Sequence, residues 1–272
     1  MSDVVQTLSE WLTLREPVDA QTRSRELVEA ALPRLVEPPI VVHDLGSGAG
    51  SMMRWLAPLL PGPQTWVLHD RNEGLLETAL ESEPPADATG GQVSVVTRVG
   101  ELDRLDGDDL HGASLVTASA LLDVLTSEEL HRVVSACLSS GVPALFSLSV
   151  TGRVQLHPRH PLDEALRVAF NAHQLRALQG RRLLGPHAVA VARGLFLQAG
   201  WHVRPADTPW VLDATASALT AEWLQGWVDA AVEQNPALGA QAESYVELRT
   251  AQLLDGSLTT VVHHRDLLAW PR

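Results

Sequence analysis

The chain contains no lysine: all 20 of its basic residues are arginine, and 33 acidic residues outnumber them. Lysine is the nucleophile of Schiff-base catalysis and the residue that reaches the ligand in a phosphate-binding loop, so pyridoxal chemistry and phosphate-loop kinase chemistry are disfavoured. A net charge of −13 argues against nucleic acid as a partner, because a phosphate backbone needs a positive field. Cysteine occurs once, at Cys137, which excludes an internal disulfide and a thiolate metal cage; its setting, Val-Val-Ser-Ala-Cys-Leu, reads as a buried helix position. Nowhere do apolar residues run for the roughly 18 positions of a membrane span. The first residues, Met-Ser-Asp-Val-Val-Gln, have neither a basic region nor an apolar signal core. The expectation is a cytoplasmic protein that works on small molecules, away from membranes and nucleic acid.

What the chain does have is a regular beat of strands and helices. Asp3 to Val36 reads as two helices broken near Glu16-Pro17, a helical cover over residues 1–38. From Ile40 a strand runs to Asp44, a helix from about Ser51 to Leu60, a strand from Thr65 to His69 ending at Asp70, and a helix to about Leu80. Glu83 to Gly91 is rich in turn residues and reads as a surface loop. Strands follow at Gln92–Arg98 and Ala113–Ala118, then a helix opening at Thr126 and a fifth strand from Pro143 to Val150. This pattern predicts an α/β fold, a doubly wound, mostly parallel, Rossmann-like sheet of seven strands, with 39–150 as its ligand-binding core. The beat fails from Gly152 to Pro186. It resumes with a helix from about His187 to Ala199, a strand opening at Gly200-Trp201, and two or three helices over Ser217–Leu254 inserted before a closing strand at Leu258–His264. Residues 151–272 are read as the substrate-facing part of a single domain.

The most informative stretch is Ile40 to Ser51, Ile-Val-Val-His-Asp-Leu-Gly-Ser-Gly-Ala-Gly-Ser. It suits a buried parallel strand that stops at Asp44 and turns sharply into a helix, with Gly46, Gly48 and Gly50 letting the backbone approach a ligand. Backbone N–H groups at a helix N-terminus hold a carboxylate, and an acidic side chain accepts from an ammonium or from ribose hydroxyls. Asp70 follows Gly50 by 20 residues, where a dinucleotide-binding fold also puts its ribose acid. The dinucleotide fingerprint is nevertheless broken, since position 51 is Ser and the third glycine comes one residue early, at Gly50.

Asp44-Leu-Gly-Ser-Gly-Ala-Gly50, with Asp70 at the end of the next strand, resembles the first motif and the ribose-binding acid of class I S-adenosylmethionine-dependent methyltransferases, over roughly Ile40 to Val150. The resemblance implies S-adenosyl-L-methionine as cofactor, held by Asp44, Gly46, Ser47, Gly48, Gly50 and Asp70. It implies that Arg71 lies on the adenine, and that Gly100-Glu101-Leu102 is the family's third motif, Glu101 accepting from the adenine amino group and a backbone amide meeting the ring. Ser119 and Ala120 would line the methionine end. A related protein that binds the cofactor without transferring methyl is the alternative.

The acceptor is expected to be a small metabolite methylated on oxygen or nitrogen, since the tetrapeptide of Asn-Pro-Pro-Tyr type that marks many nucleobase and amide methyltransferases is missing after strand four. Asp123, in the loop after that strand, is placed to orient or deprotonate an acceptor, or to cap a helix. Six arginines between Arg153 and Arg182 face only Asp163 and Glu164, a local balance of +4 that would suit a carboxylate or phosphate on the acceptor. Within Phe170-Asn-Ala-His-Gln174, polar groups crowd an apolar frame, and His173 is the leading general-base candidate. No metal site is expected: Pro158 and Pro161 argue against a helix that would align His157 with His160, and His263-His264 on a strand point to opposite faces. Arg15, Asp19 and Arg23 recur at four-residue spacing, as a surface ion-pair row or as residues of a lid. Trp201, Trp210, Trp223 and Trp227 would wall a flat acceptor or fill the core. The apolar faces of the N- and C-terminal helices would suit a homodimer.

Overall fold

The computed structural model describes residues 2–178 and 180–272, with side chains from residue 8 onward except at 178. Two helices, α1 (Ser2–Thr22) and α2 (Arg25–Ala31), precede β1 (Ile40–Leu45), α3 (Ser51–Leu56), β2 (Gln64–Asp70), α4 (Glu73–Glu81), β3 (Val93–Val99), β4 (Leu115–Ser119), α5 (Ser127–Ser140) and β5 (Ala144–His157). Then come α6 (Leu162–Gln174), a hairpin of β6 (Ala177–Leu178) and β7 (Arg181–Arg182), α7 (Ala188–Gln198), β8 (His202–Asp207), β9 (Trp210–Leu212), α8 (Ser217–Gln234), α9 (Gly239–Leu254) and β10 (Thr259–Trp270).

The main sheet has the order β3-β2-β1-β4-β5-β10-β8, with β9 as an eighth strand on β10. Pairings from β3 through β5 are parallel, and β10 runs antiparallel to both its neighbours. β1 is buried on both faces apart from half-buried Val41 near its start, as suits a central parallel strand. One face packs Leu45, Val116 and Phe146 against α5 and α7; the other packs Ile40, Val42 and Trp66 against α2 and α3. Cys137 is buried in α5, and burial pushes its thiol up to about 12. Among the described residues no helix is long and apolar enough to cross a membrane.

Three departures from the expected pattern shape the molecule. The N-terminal helix does not break at Glu16-Pro17: α1 runs through Pro17 to Thr22, and the chain turns at Arg23-Ser24, where the Ser24 side chain caps α2 by accepting from Leu27 N–H. Proline removes one hydrogen bond from the helix, and contacts on both sides of it compensate: Trp11, Leu14 and Val18 pack on Trp210 and Val262, and Glu16 forms a two-pronged ion pair with Arg54. The second departure is β5, which continues past Val150 to His157 because β10 pairs with it along its whole length. Ser147 is level with Ser119 at the end of β4, so the ten residues after it, with the first half of β10, form a ribbon projecting about 30 Å beyond the sheet. Third, the stretch expected to be irregular contains α6, which packs with α8 and α9 on that ribbon around Leu166, Trp227 and Tyr245. The fully buried Arg249 ties this group together, donating to Asp163 Oδ1 at 2.6 Å and to the Pro158 carbonyl at 2.7 Å.

Candidate functional site

In a doubly wound sheet the crevice lies where neighbouring strands send their connections to opposite faces, here between β1 and β4. The glycine turn opens this crevice. Gly46 and Gly48 have φ of +61° and +52°, a region hostile to side chains. A Cβ on Gly46 would come within 2.6 Å of Leu121, and one on Gly48 within 3.3 Å of Leu12 on α1. The turn is held internally: Ser47 N–H donates to the His69 carbonyl at 2.9 Å and Gly48 N–H to Asp70 Oδ2 at 2.8 Å. Asp70 Oδ1 accepts from Asn72 N–H at 2.9 Å. The ends of β1 and β2 are thereby locked together.

Around this turn lies a cavity of about 270 Å³, more polar than the one that adjoins it. Asp44, Gly46, Ser47 and Gly48 form its floor; Asp70, Arg71 and Asn72 lie toward β2, and Ser119 and Ala120 toward β4. Asp44 is buried, with Oδ1 accepting from Thr117 Oγ1 at 2.7 Å, while Oδ2 is covered and has no partner. Burial pushes its carboxyl up to about 7, against the Thr117 hydrogen bond and the Arg23 charge. Ser47 Oγ is likewise buried without a partner.

A polar network on α1 closes the cavity from above, and no strand signal pointed to it. Asp19 and Arg23 are each 3% exposed, so the four-residue spacing is not a solvated ion-pair row. Arg15 pairs with Asp19 at 2.8 Å; Asp19 also accepts from Trp210 Nε1 at 3.0 Å. Arg23, in the turn after α1, donates to the hydroxyls of Ser51 and Ser119, both at 3.0 Å, linking that turn to the start of α3 and the end of β4.

A second cavity, about 370 Å³ and mainly apolar, adjoins the first. Leu8, Leu12, Arg15, Ala120 and Val124 belong to both walls. Its aromatic sides are Trp11, Phe170, Trp210 and Trp223, and Leu148, Val150 and Val154 of the projecting ribbon form its back. Two of the shared or adjoining positions, Ala120 (φ +51°) and Leu148 (φ +57°), are non-glycine residues in the left-handed region, a strained geometry that clusters at functional sites. Asp123, Asn171, Gln174 and His264 supply polar groups. Burial raises the Asp123 carboxyl to about 6 and lowers the His264 ring to about 3.

The structure thus gathers Asp44, Gly46, Ser47, Gly48, Asp70, Arg71, Ser119 and Ala120 in one cavity and Asp123 in its neighbour. Gly50 caps α3 behind the turn. Gly100 donates its N–H to the Asp70 carbonyl at 3.0 Å, but Gly100, Glu101 and Leu102 are not part of the cavity wall; Glu101 is exposed and Leu102 packs toward the α5 core. His173 is outside both cavities, because on α6 it lies off the face formed by Phe170, Asn171 and Gln174; its Nε2 meets Glu233 at 3.0 Å. Half of the arginine concentration is neutralised, with Arg167, Arg176 and Arg181 paired to Glu164, Glu233 and Glu129; Arg153 alone of the six lines the apolar cavity. His263 and His264 both border that cavity, since the register of β10 slips between Val262 and His264. Trp227 and Trp201 are core, whereas Trp210 and Trp223 wall the cavity. Among the described residues no three His, Cys, Asp or Glu side chains gather as metal ligands would.

No protein-family model and no curated protein matches the chain. Among solved structures it is similar to the cyclopropane synthase MmaA2 from Mycobacterium tuberculosis, at 12% identity over 89% of this chain and 82% of that one, with a TM-score of 0.47. The YcgJ protein from Bacillus subtilis is 12% identical over 90% and 97% of the two chains, with a TM-score of 0.47. The plantazolicin methyltransferase BpumL is 8% identical over 100% and 89%, with a TM-score of 0.45.

Proposed function

We propose that this chain is an S-adenosylmethionine-dependent methyltransferase acting on a small-molecule acceptor. The observation that carries this reading is the meeting of the more polar cavity, built on the glycine turn at the switch point of the sheet, with an apolar one across the shared residues Leu12, Arg15 and Ala120. One chamber suits a zwitterionic nucleoside; the other opens from its β4 end.

The residues fit such a group. The unpartnered Oδ2 of Asp44 and Oγ of Ser47 are buried acceptors that an ammonium would satisfy. Asp70, its oxygens each already holding one backbone N–H, keeps further lone pairs for ribose hydroxyls. Arg15, between the chambers and paired with Asp19, and Arg23, which touches Ser119 at the β4 end, are the cations on this side of the site. Bound in this way, S-adenosylmethionine supplies an activated methyl group on a sulfonium. What the chain adds is alignment and exclusion of water: α1 covers the turn, Ala120 and Leu148 are held in strained conformations, and the aromatic walls keep the acceptor facing Ala120.

Isothermal titration calorimetry tests the first step. S-adenosylmethionine and S-adenosylhomocysteine bind the wild-type chain, and Asp70→Ala weakens both by about tenfold or more, the loss of one charge-assisted contact pair. Unaltered binding by Asp70→Ala would sink the assignment. Transfer is read by incubating the protein and a cell extract with methyl-tritiated cofactor and following label into the small-molecule fraction; repeated absence of label favours a binding protein.

A further inference from the structure

The apolar chamber carries information about its occupant, because three of the four covered, unpartnered polar atoms of its lining residues are oxygens. Asp123, Asn171 and Gln174 line it, and in each one side-chain oxygen (Oδ1, Oδ1 and Oε1) is covered and has no hydrogen-bond partner. All three are oxygens that accept. The Asn171 amide already donates to the Gly152 carbonyl at 2.8 Å, which fixes its free oxygen as the end left over. His264 Nδ1 is a fourth unpartnered atom, on a ring 3% exposed and packed 4.9 Å from Trp210. Each buried acceptor left without a donor costs about 1–3 kcal/mol, and native proteins keep few of them without a purpose.

The positive charges of the chamber are accounted for differently. Arg15 is held by Asp19 at 2.8 Å, with its guanidinium 5.0 Å from the Trp210 ring and 5.9 Å from Trp11. Arg153 is exposed and belongs to the rim. An anionic group placed among the three oxygens would be repelled by the Asp123 carboxylate and would find the Asn171 N–H already given to Gly152. The walls between them are aromatic and aliphatic, and about 370 Å³ lies at the small end of the range for ligand pockets.

Resting on the methyltransferase reading above, we infer that the acceptor is an uncharged, ring-shaped molecule that enters with a hydroxyl or amine N–H edge leading, and that Asp123, Asn171 and Gln174 receive that edge. Asp123 stands between Ala120 and Val124, the two residues of this loop common to both chambers, so the group it receives is the one next to the cofactor cavity. The anion-binding role suggested by the arginine-rich stretch is thereby replaced by a donor-binding one.

Four probes sharing one ring body test this by calorimetry on the full chain: naphthol, naphthylamine, methoxynaphthalene and naphthoate, each with and without saturating S-adenosylhomocysteine. Naphthol and naphthylamine are expected to bind about tenfold or more tightly than the other two, as one hydrogen bond to a charged acceptor allows. Asp123→Leu removes most of that advantage and Gln174→Leu a smaller part, and both leave S-adenosylhomocysteine binding as in the wild type. Methoxynaphthalene binding as tightly as naphthol, no binding of naphthol, or a preference for naphthoate that disappears in Arg153→Ala overturns the inference. If S-adenosylhomocysteine fails to bind, the cofactor reading falls, while the order of the four probes still judges the chamber.

Discussion

A carboxyl group shut away from water with a single hydroxyl donor holds its proton far more tightly than a free one, and Asp44 is in that position. Its carboxyl is raised to about 7, so ligand binding through an ammonium requires that a proton leave. Affinity for S-adenosylhomocysteine is therefore expected to climb by up to about tenfold per pH unit below pH 7 and to level off above it. Asp44→Asn keeps an oxygen for Thr117 and abolishes the pH dependence; a wild-type affinity flat from pH 5.5 to 8 would refute the role. The same shift bears on stability. A raised carboxyl favours the folded state below its unfolded value and loses that contribution as pH rises through about 7, so the ligand-free Asn variant should be more stable than wild type at pH 8, by about 1–3 kcal/mol, and the gain should vanish near pH 4. Asp44, Asp70 and the glycines were legible in the sequence because they sit within one βαβ unit, where backbone constraint ties spacing to geometry. His173 was not a comparable case: in Phe170 to Gln174 the crowding of polar groups was visible, but which of them face the cavity depends on the phase of α6, and that phase is set by Trp227 and its neighbours on another helix.

Individual elements show the same division between local and distant causes. The capping box of Thr126 and Glu129 announces α5 in the sequence, and both of its hydrogen bonds are present. Pro17 suggested a break that did not come, because α1 is held from outside by Trp210, Arg54 and the sheet. The extension of β5 was invisible for a related reason: its partner β10 lies about a hundred residues further on, and no local pattern reports such a pairing. One residue joins these distant pieces. Asp266 on β10 is fully buried and accepts from Ser24 N–H at 3.0 Å, Leu148 N–H at 2.8 Å and Thr208 Oγ1 at 2.7 Å, holding the start of α2, the strained turn of β5 and the β8–β9 connection. Asp266→Ala leaves three donors without an acceptor and is expected to cost about 3–5 kcal/mol in urea unfolding, with Asp266→Asn losing clearly less. Equal losses would mean that packing, and not hydrogen bonding, is the contribution of this residue.

The whole molecule carries a second set of titrating groups. His43 and His69 lie side by side on β1 and β2, with Nδ1 of one 3.0 Å from Nε2 of the other, a hydrogen bond that two protonated rings could not form. Burial, with Arg98 nearby, lowers them to about 4 and about 3. The unfolded chain takes up these protons below about pH 6.5 and the folded chain does not, so their contribution is complete above that value and is lost as pH falls toward 4. Asp44 and Asp123, raised to about 7 and about 6, act oppositely in the same window, so the informative quantity is a difference of slopes. His69→Gln is expected to lose stability less steeply than wild type between pH 6 and 4, by about 1.4 kcal/mol per pH unit; parallel curves would contradict it. A last consequence follows from the position of α1. Leu8, Leu12 and Arg15 belong to the walls of both chambers, so either ligand that steadies this helix lowers the conformational entropy the other has still to lose. The proposed cofactor and acceptor are then expected to bind cooperatively, each tightening the binding of the other by the same factor.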